Sequence, residues 1–90
     1  MTLLEYREEI DKIDAEIVKL LEARFTIVEA IAKIKEAEGL PIENQEREAV
    51  VLDRIEELSG PHLAEHNRTI FSQIIKSSKE HQGRFLHSKY

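Results

Sequence analysis

The chain has 90 residues, and 13 Lys and Arg stand against 18 Asp and Glu, for a formal net charge of −5. This length allows one small domain, and the acidic balance argues against a nucleic-acid partner. Because the sequence contains no cysteine, a disulfide framework, a cysteine-ligated zinc site and thiol catalysis are excluded.

Glycine and proline divide the chain into three segments, at Gly39-Leu40-Pro41 and at Ser59-Gly60-Pro61. A glycine just past a periodic segment, followed by proline, is typical of a helix end. Apolar residues recur mainly at helical steps of three and four through these segments, so strands are not expected. We therefore predict an all-α fold with one long N-terminal helix and two shorter ones, forming a single domain over residues 1–90.

The first helix is predicted from about residue 3 to about residue 37. Thr2 and Glu5 match a capping box, in which each side chain satisfies a free backbone N–H. Apolar residues recur at steps of three and four, the spacing of a coiled-coil seam. This N-terminal seam consists of Leu3, Tyr6, Ile10, Ile13, Ile17, Leu20, Ile27, Ile31 and Ile34. One position interrupts it, because Arg24 stands where an apolar residue belongs.

The second and third helices also interrupt their own apolar stripes. The second helix is predicted from about residue 45 to 58, with Asn44 as its N-cap. One turn before its apolar stripe, on the same face, stands Glu48. That stripe consists of Val51, Leu52, Ile55 and Leu58. The third begins near Pro61 or Leu63 and ends near Leu86. Its stripe consists of Leu63, Ile70, Phe71, Ile74, Ile75, Phe85 and Leu86, and the same face carries Ser78 and Gln82.

The length of the first helix has a consequence for assembly. A helix of about 35 residues is roughly 52 Å long, whereas a compact chain of 90 residues has a radius of gyration of about 12 Å. The first helix must therefore project beyond any monomeric core with its apolar seam uncovered. We predict an intertwined homodimer that pairs these helices.

Two cations on the first helix suggest an anion site. Arg24 and Lys35 are eleven residues apart, so they share one face about 16 Å apart along the axis. Arg47 and Glu48 open the second helix, and the polar residues of the third helix are neutral. Since a desolvated cation needs an anionic partner, we expect the anion to be a small ligand. Taken singly, each residue also fits a structural role, as a snorkelling or surface charge or as a polar group at a helix crossing.

Arg7 lies seventeen residues before Arg24, about 25 Å along the same helix and roughly 100° around it. It cannot reach the same pocket within its own chain. In an antiparallel dimer, however, Arg7 of one protomer approaches the Arg24 region of the other.

Other function classes receive no support. His62 and His66 stand four residues apart, but no third ligand is apparent, so we expect no metal. No glycine-rich phosphate loop or nucleophilic triad is present, and we expect no cofactor. No apolar run reaches the roughly 20 residues of a membrane span, and the N-terminus does not match a secretory signal. We therefore expect a cytoplasmic protein.

These positions together resemble the all-helical, AroQ-type chorismate mutase family, over about residues 3 to 86. The resemblance rests on a set of motifs, on their order along the chain and on the intervals between them. The set consists of Arg7-Glu8-x-Ile10-x-x-Ile13-Asp14, Leu20-Leu21-x-x-Arg24, Ala32-x-x-Lys35, Pro41-Ile42-x-x-x-x-Arg47-Glu48 and Phe71-x-x-Ile74-Ile75-x-x-Ser78-x-x-x-Gln82. It implies an intertwined homodimer and the Claisen rearrangement of chorismate to prephenate, the branch step toward phenylalanine and tyrosine, which requires no cofactor.

The resemblance also implies a role for each site residue. Arg24 and the Arg7 of the other chain resemble clamps on the substrate carboxylates. Lys35 and Gln82 resemble the pair that hydrogen-bonds the breaking ether oxygen. Glu48 resembles the acceptor of the ring hydroxyl. The residues that resemble supporting contacts are Arg47, near the hydroxyl, and Ser78, near a carboxylate.

One position departs from the family pattern, since Asn44 stands where well-known members carry Asp in the loop that contacts the ring hydroxyl. Two other functions stay open, an isochorismate-pyruvate lyase on the same scaffold and a non-catalytic helical dimerisation or regulatory module. The adjacent Arg47 and Glu48 favour the mutase. A complex with a DAHP synthase is a further partner that family analogy allows, and no residue of the chain indicates it.

Overall fold

A computed structural model describes residues 1–87 of the chain. This part contains three helices and no strand: α1 (Leu3–Glu38), α2 (Gln45–Leu58) and α3 (Ala64–His87). The predicted all-α class and the three helical segments are confirmed. Over the same residues, none of the helices is both long and apolar enough to cross a membrane.

The ends of α1 are set by local hydrogen bonds. The Thr2 hydroxyl accepts from the backbone N–H of Glu5 at 3.2 Å, and the Glu5 carboxylate accepts from the N–H of Thr2 at 3.1 Å, which is the predicted capping box. At the other end, Gly39 adopts a left-handed conformation with φ of 67°. The N–H of Leu40 then donates to the carbonyl of Lys35 at 2.8 Å. The chain leaves α1 in a tight turn because Gly39 carries no Cβ.

The second break ends α2 in a different way from the one that we predicted. Ser59, in an extended conformation, forms the C-cap, and within residues 1–87 Gly39 is the only glycine with positive φ. The Ser59 hydroxyl donates to the carbonyl of Ile55 at 2.6 Å and accepts from the Asn67 side chain at 2.9 Å. Gly60 and Pro61 belong to the turn before α3, in which the N–H of Leu63 donates to the carbonyl of Gly60 at 2.9 Å.

Two glycines should respond oppositely to a change to alanine. A Cβ added at Gly39 or at Gly83 would meet no described atom within 4 Å, so backbone conformation decides the effect. Gly39→Ala should lower the free energy of unfolding by about 1 kcal/mol, since φ is positive there. Gly83→Ala should raise it by about 0.5 kcal/mol, because Gly83 lies within α3. Urea denaturation of both variants measures the difference, and equal shifts would contradict this account.

The third helix lies at the centre of the fold, because α3 packs against both α1 and α2. The buried residues of the described part are Val28, Ala32, Ile75, Ser78 and Gln82. The two of them on α1 lie outside the N-terminal seam, so α1 meets α3 through a separate stripe. Two of the five are polar, which places the centre of the packing next to polar groups that need partners.

The N-terminal seam is uncovered in the single chain. Every residue from 1 to 20 is exposed, and Leu3, Leu20 and Ile27 retain 65%, 69% and 60% of their accessible surface. The molecule is elongated, 54 × 29 × 14 Å, and its radius of gyration of 16.3 Å exceeds the roughly 12 Å of a compact chain of this length. Large apolar surfaces of this kind mark interaction faces.

Candidate active site

A cavity of about 240 Å³ lies where the three helices and the loop before α2 meet. It brings together seven of the eight predicted site residues, and Arg7 is the exception. Its lining consists of Arg24, Val28, Ile31, Lys35, Ile42, Asn44, Arg47, Glu48, Val51, Ile75, Ser78, Lys79 and Gln82. The polar positions that interrupt the three apolar stripes therefore share one concave surface.

The cavity is positively charged although the chain is acidic overall. Among residues 1–87, its ionisable lining consists of four cations, Arg24, Lys35, Arg47 and Lys79, and one carboxylate, Glu48. A larger depression of about 500 Å³ between α1 and α3 has the opposite balance, since its described lining contains three glutamates against one arginine and one histidine. An anionic ligand therefore fits the smaller cavity better.

A neutral hydroxyl positions Arg24. The Arg24 side chain is half-buried, and its Nη1 donates to Ser78 Oγ at 2.7 Å. The Ser78 hydroxyl in turn donates to the carbonyl of Ile74 at 2.8 Å, so its orientation is fixed by the backbone of α3. Among residues 1–87, Arg24 has no carboxylate within ion-pair distance. The guanidinium is held in place and keeps its capacity to bind an anion.

A backbone carbonyl positions Lys35 in the same way. Lys35 Nζ donates to the carbonyl of Ile42 at 2.7 Å, which fixes the half-buried ammonium against the loop that leads to α2. It too forms no ion pair with a carboxylate of the described part. Arg24 and Lys35 lie three turns apart on α1, so the two cations flank the cavity from opposite ends.

The start of α2 contributes an exposed rim and one inward carboxylate. Asn44 Oδ1 accepts from the N–H of Arg47 at 3.0 Å, which confirms Asn44 as the N-cap. Asn44 and Arg47 are exposed at the mouth of the cavity, whereas Glu48 is half-buried. Glu48 Oε1 accepts from Lys79 Nζ at 3.1 Å, and Glu48 Oε2 is buried without a hydrogen-bond partner in the described part of the chain.

A second polar group in the cavity lacks a hydrogen-bond partner among residues 1–87. The Gln82 side chain is buried, with 6% exposure, and its Oε1 forms no hydrogen bond within the described residues. Buried polar atoms are nearly always paired, so an unpaired one at a cavity is an unfilled contact for a ligand or a water molecule. Rotation of the amide also allows its NH₂ group to take that place.

Arg7 lies outside this cavity in the single chain. It is exposed on the first turns of α1, about 25 Å along the helix from Arg24. The expectation that Arg7 cannot reach the pocket of its own chain agrees with this position. His62 and His66 are exposed as well, and residues 1–87 contain no group of three or more side chains placed to hold a metal ion.

The sequence interpretation missed two polar contributors to the cavity, Lys79 and the carbonyl of Ile42. Lys79 precedes Gln82 by three residues, so the two share one side of α3. Its hydrogen bonds to Glu48 and then Glu43 raise the pKa of Lys79. The position of Lys79 on this face of α3 could have indicated from the sequence that it lines the cavity. Its contacts with Glu43 and Glu48 could not be predicted, because they depend on tertiary packing.

Comparison with known proteins relates the chain to one family. The profile of the family described as chorismate mutase type II matches residues 6–83. The chorismate mutase of Methanocaldococcus jannaschii is 37% identical over 86 residues, which cover 93% of this chain and 87% of that one. The bifunctional chorismate mutase/prephenate dehydratase of Aquifex aeolicus is 42% identical over 81 residues, 90% of this chain but 17% of that protein.

A solved structure has the same fold. A conserved hypothetical protein from Pyrococcus furiosus superposes with a TM-score of 0.74 at 43% sequence identity. The match covers 91% of this chain and 97% of the other. The arrangement of three helices thus recurs in a related chain of nearly the same extent.

Proposed function

Because this chain belongs to the chorismate mutase type II family, we propose that its cavity binds chorismate and rearranges it to prephenate, so that the chain works as an isomerase. The observation that carries the proposal is a small cavity in which Arg24 and Lys35 are fixed by neutral groups and remain free to bind an anion. Chorismate is a dicarboxylate of modest size, and it complements this charge.

The rearrangement requires no covalent bond between the protein and the substrate. In the rearrangement the ether C–O bond of the substrate breaks while a C–C bond forms within the same molecule, so atoms balance without a co-reactant. No nucleophile, metal or cofactor is needed. The site has to hold the compact conformer in which the two carbon atoms meet, and it has to stabilise the negative charge that develops on the ether oxygen.

The arrangement of the cations supports a role for each end of the cavity. Arg24 binds a substrate carboxylate through a bidentate contact, which the planar guanidinium suits better than an ammonium does. Lys35, three turns away, donates to the ether oxygen. Gln82 donates to the same oxygen with its NH₂ group, and because an amide does not ionise it does so over a wide pH range.

The remaining lining residues fit the hydroxyl end and the supporting contacts. Glu48 has a buried oxygen that lacks a partner among residues 1–87, which suits the acceptor of the ring hydroxyl. Arg47 and Asn44 lie at the mouth near that end, and Asn44 also caps α2. Ser78 supports a carboxylate indirectly, through its contact with Arg24.

We further propose that the working form is an intertwined homodimer. The exposed N-terminal seam on residues 3–34 gives each chain a long apolar face for a second copy. An antiparallel arrangement brings Arg7 of one protomer to the Arg24 end of the other's cavity, where it completes the binding of the carboxylates. The uncovered residues 1–20 and the elongated shape support this assembly.

A direct assay tests the activity. The purified chain should consume chorismate and form prephenate in the absence of added metal or cofactor, followed by the loss of chorismate absorbance and by acid conversion of prephenate to phenylpyruvate. Isochorismate, offered in parallel and assayed for salicylate and pyruvate, tests the lyase alternative. A folded chain without turnover of chorismate would refute the proposal, and ligand-free dimerisation alone would favour a non-catalytic module.

The second activity of bifunctional relatives is not proposed for this chain, which spans 17% of the Aquifex aeolicus protein. A cytoplasmic location stays a prediction of the sequence. No feature of residues 1–87 supports a complex with a DAHP synthase, so that partner is not proposed further.

A further inference from the structure

Resting on the proposed function, we propose that Lys79 is a positioning residue, which fixes one oxygen of the Glu48 carboxylate so that the other oxygen receives the ring hydroxyl of the substrate. Neither the sequence motifs nor the resemblance assigns Lys79 a role. The residue lines the cavity from α3, beside the polar groups of that helix.

Lys79 joins three parts of the fold at the hydroxyl end of the cavity. Its Nζ lies 3.1 Å from Glu48 Oε1 at the start of α2 and 3.1 Å from Glu43 Oε1 in the preceding loop. The Lys79 and Glu48 side chains are 29% and 24% exposed to solvent, whereas the Glu43 side chain is 57% exposed. The contact with Glu48 is therefore the better shielded of the two, and it is screened less by salt.

The two oxygens of Glu48 have different environments. Oε1 accepts from Lys79, whereas Oε2 is buried and has no partner among the described residues. A carboxylate can accept hydrogen bonds at both oxygens, and a buried acceptor without a donor is costly. With Oε1 held, the carboxylate keeps one orientation, and Oε2 presents a vacant acceptor to a donor in the cavity. A hydroxyl group is such a donor.

The charge of Lys79 persists under assay conditions. The hydrogen bonds from Lys79 to Glu48 and then Glu43 raise the pKa of Lys79, so the ammonium stays protonated well above neutral pH. Its removal would take away the cation that bridges two carboxylates on neighbouring elements, Glu43 and Glu48. Lys79 thus keeps Glu48 in place against repulsion from Glu43.

The kinetic consequence should fall on KM. The ring hydroxyl is not part of the bonds that break or form, so a contact with it is similar in the ground state and the transition state. We expect Lys79→Met to raise KM for chorismate about tenfold and to change kcat less than about twofold, as loss of one charge-assisted contact would. Lys79→Arg, which keeps the charge and donors, should restore KM to near the wild-type value.

The decisive measurement uses an analogue of chorismate that lacks the ring hydroxyl. Lys79→Met should bind the analogue, assayed as substrate or competitive inhibitor, as well as the wild type does, because the contact that Lys79 supports is absent. Each variant is compared on chorismate and analogue in one preparation, so the ratio does not depend on the folded fraction. The matched control is Lys76→Met, an exposed lysine one turn away on α3, which should change neither constant.

The outcomes separate this inference from the proposed function. Equal losses on chorismate and on the analogue, or an unchanged KM for chorismate, would overturn the role of Lys79 while leaving the mutase activity standing. A wild-type chain without mutase activity would overturn the proposed function first, and the inference with it. A hydroxyl-dependent rise in KM that Lys79→Arg reverses would support the positioning role.

Discussion

Replacement of Lys35 by alanine is expected to lower kcat by about 10²–10³, because one electrostatic contact to the developing oxyanion typically contributes that much. The Lys35 ammonium is fixed on the carbonyl of Ile42 at 2.7 Å. Substrate therefore meets a cation that is already in place. The contact strengthens as charge accumulates on the ether oxygen, so its loss should fall on kcat more than on KM.

Single-turnover and steady-state rates of chorismate conversion measure the Lys35→Ala effect. Lys76→Ala serves as the control, since it removes the same charge from an exposed position outside the cavity. Far-ultraviolet circular dichroism and thermal unfolding show whether loss of the bond to Ile42 disturbs the loop. A well-folded Lys35→Ala variant that keeps more than about a tenth of the wild-type kcat would contradict the assignment of Lys35 to the ether oxygen.

The second large effect is a recovery of activity on mixing two inactive variants. Arg7→Ala and Arg24→Ala should each lose about 10²-fold in kcat/KM, since each misplaces a substrate carboxylate. If Arg7 acts in the partner's cavity, a heterodimer of the two variants contains one intact site and one doubly altered site. About half of the dimers in a random mixture are heterodimers, so refolding the two together should restore about a quarter of wild-type activity.

A second mixture provides the matched control. Arg24→Ala and Lys35→Ala alter the same cavity of the same chain, so no combination of these two variants creates an intact site. Their mixture should stay inactive. Light scattering on the wild type should give about twice the chain mass of 10.5 kDa. No recovery in the first mixture, or equal recovery in both, would rule out the shared site.

Features governed by neighbours in sequence were predictable. The capping box at Thr2, the Asn44 cap and the glycine end of α1 all depend on residues within about four or five positions, where helix geometry is nearly fixed. The second break shows the limit of such rules. At the end of α2, the Ser59 hydroxyl forms hydrogen bonds with Ile55 and with Asn67 of α3. The end of α2 therefore involves a residue of another helix, which local sequence rules do not take into account.

The site was predictable as a set of positions but not as a set of contacts. Arg24 and Gln82 are polar residues at positions where the helical spacing calls for an apolar one. Such positions indicate a role other than apolar packing, and both line one cavity. The partner of Arg24 is Ser78, 54 positions away, and those of Lys79 lie 31 and 36 positions away. Such pairs depend on how α3 packs against α1, α2 and the loop before α2, which periodicity does not specify. The roles of the site residues stay predictions.

The neutral partners of the two α1 cations have a consequence for the evolution of this fold. A hydroxyl and a carbonyl orient Arg24 and Lys35 without cancelling their charge, so two like charges face one cavity. Partial burial of each cation without a carboxylate partner among residues 1–87 weakens the folded state, and a bound dianion offsets that cost. Selection for activity and selection for stability of the folded state therefore act in opposite directions at these positions. Apolar replacements there would raise stability and abolish catalysis.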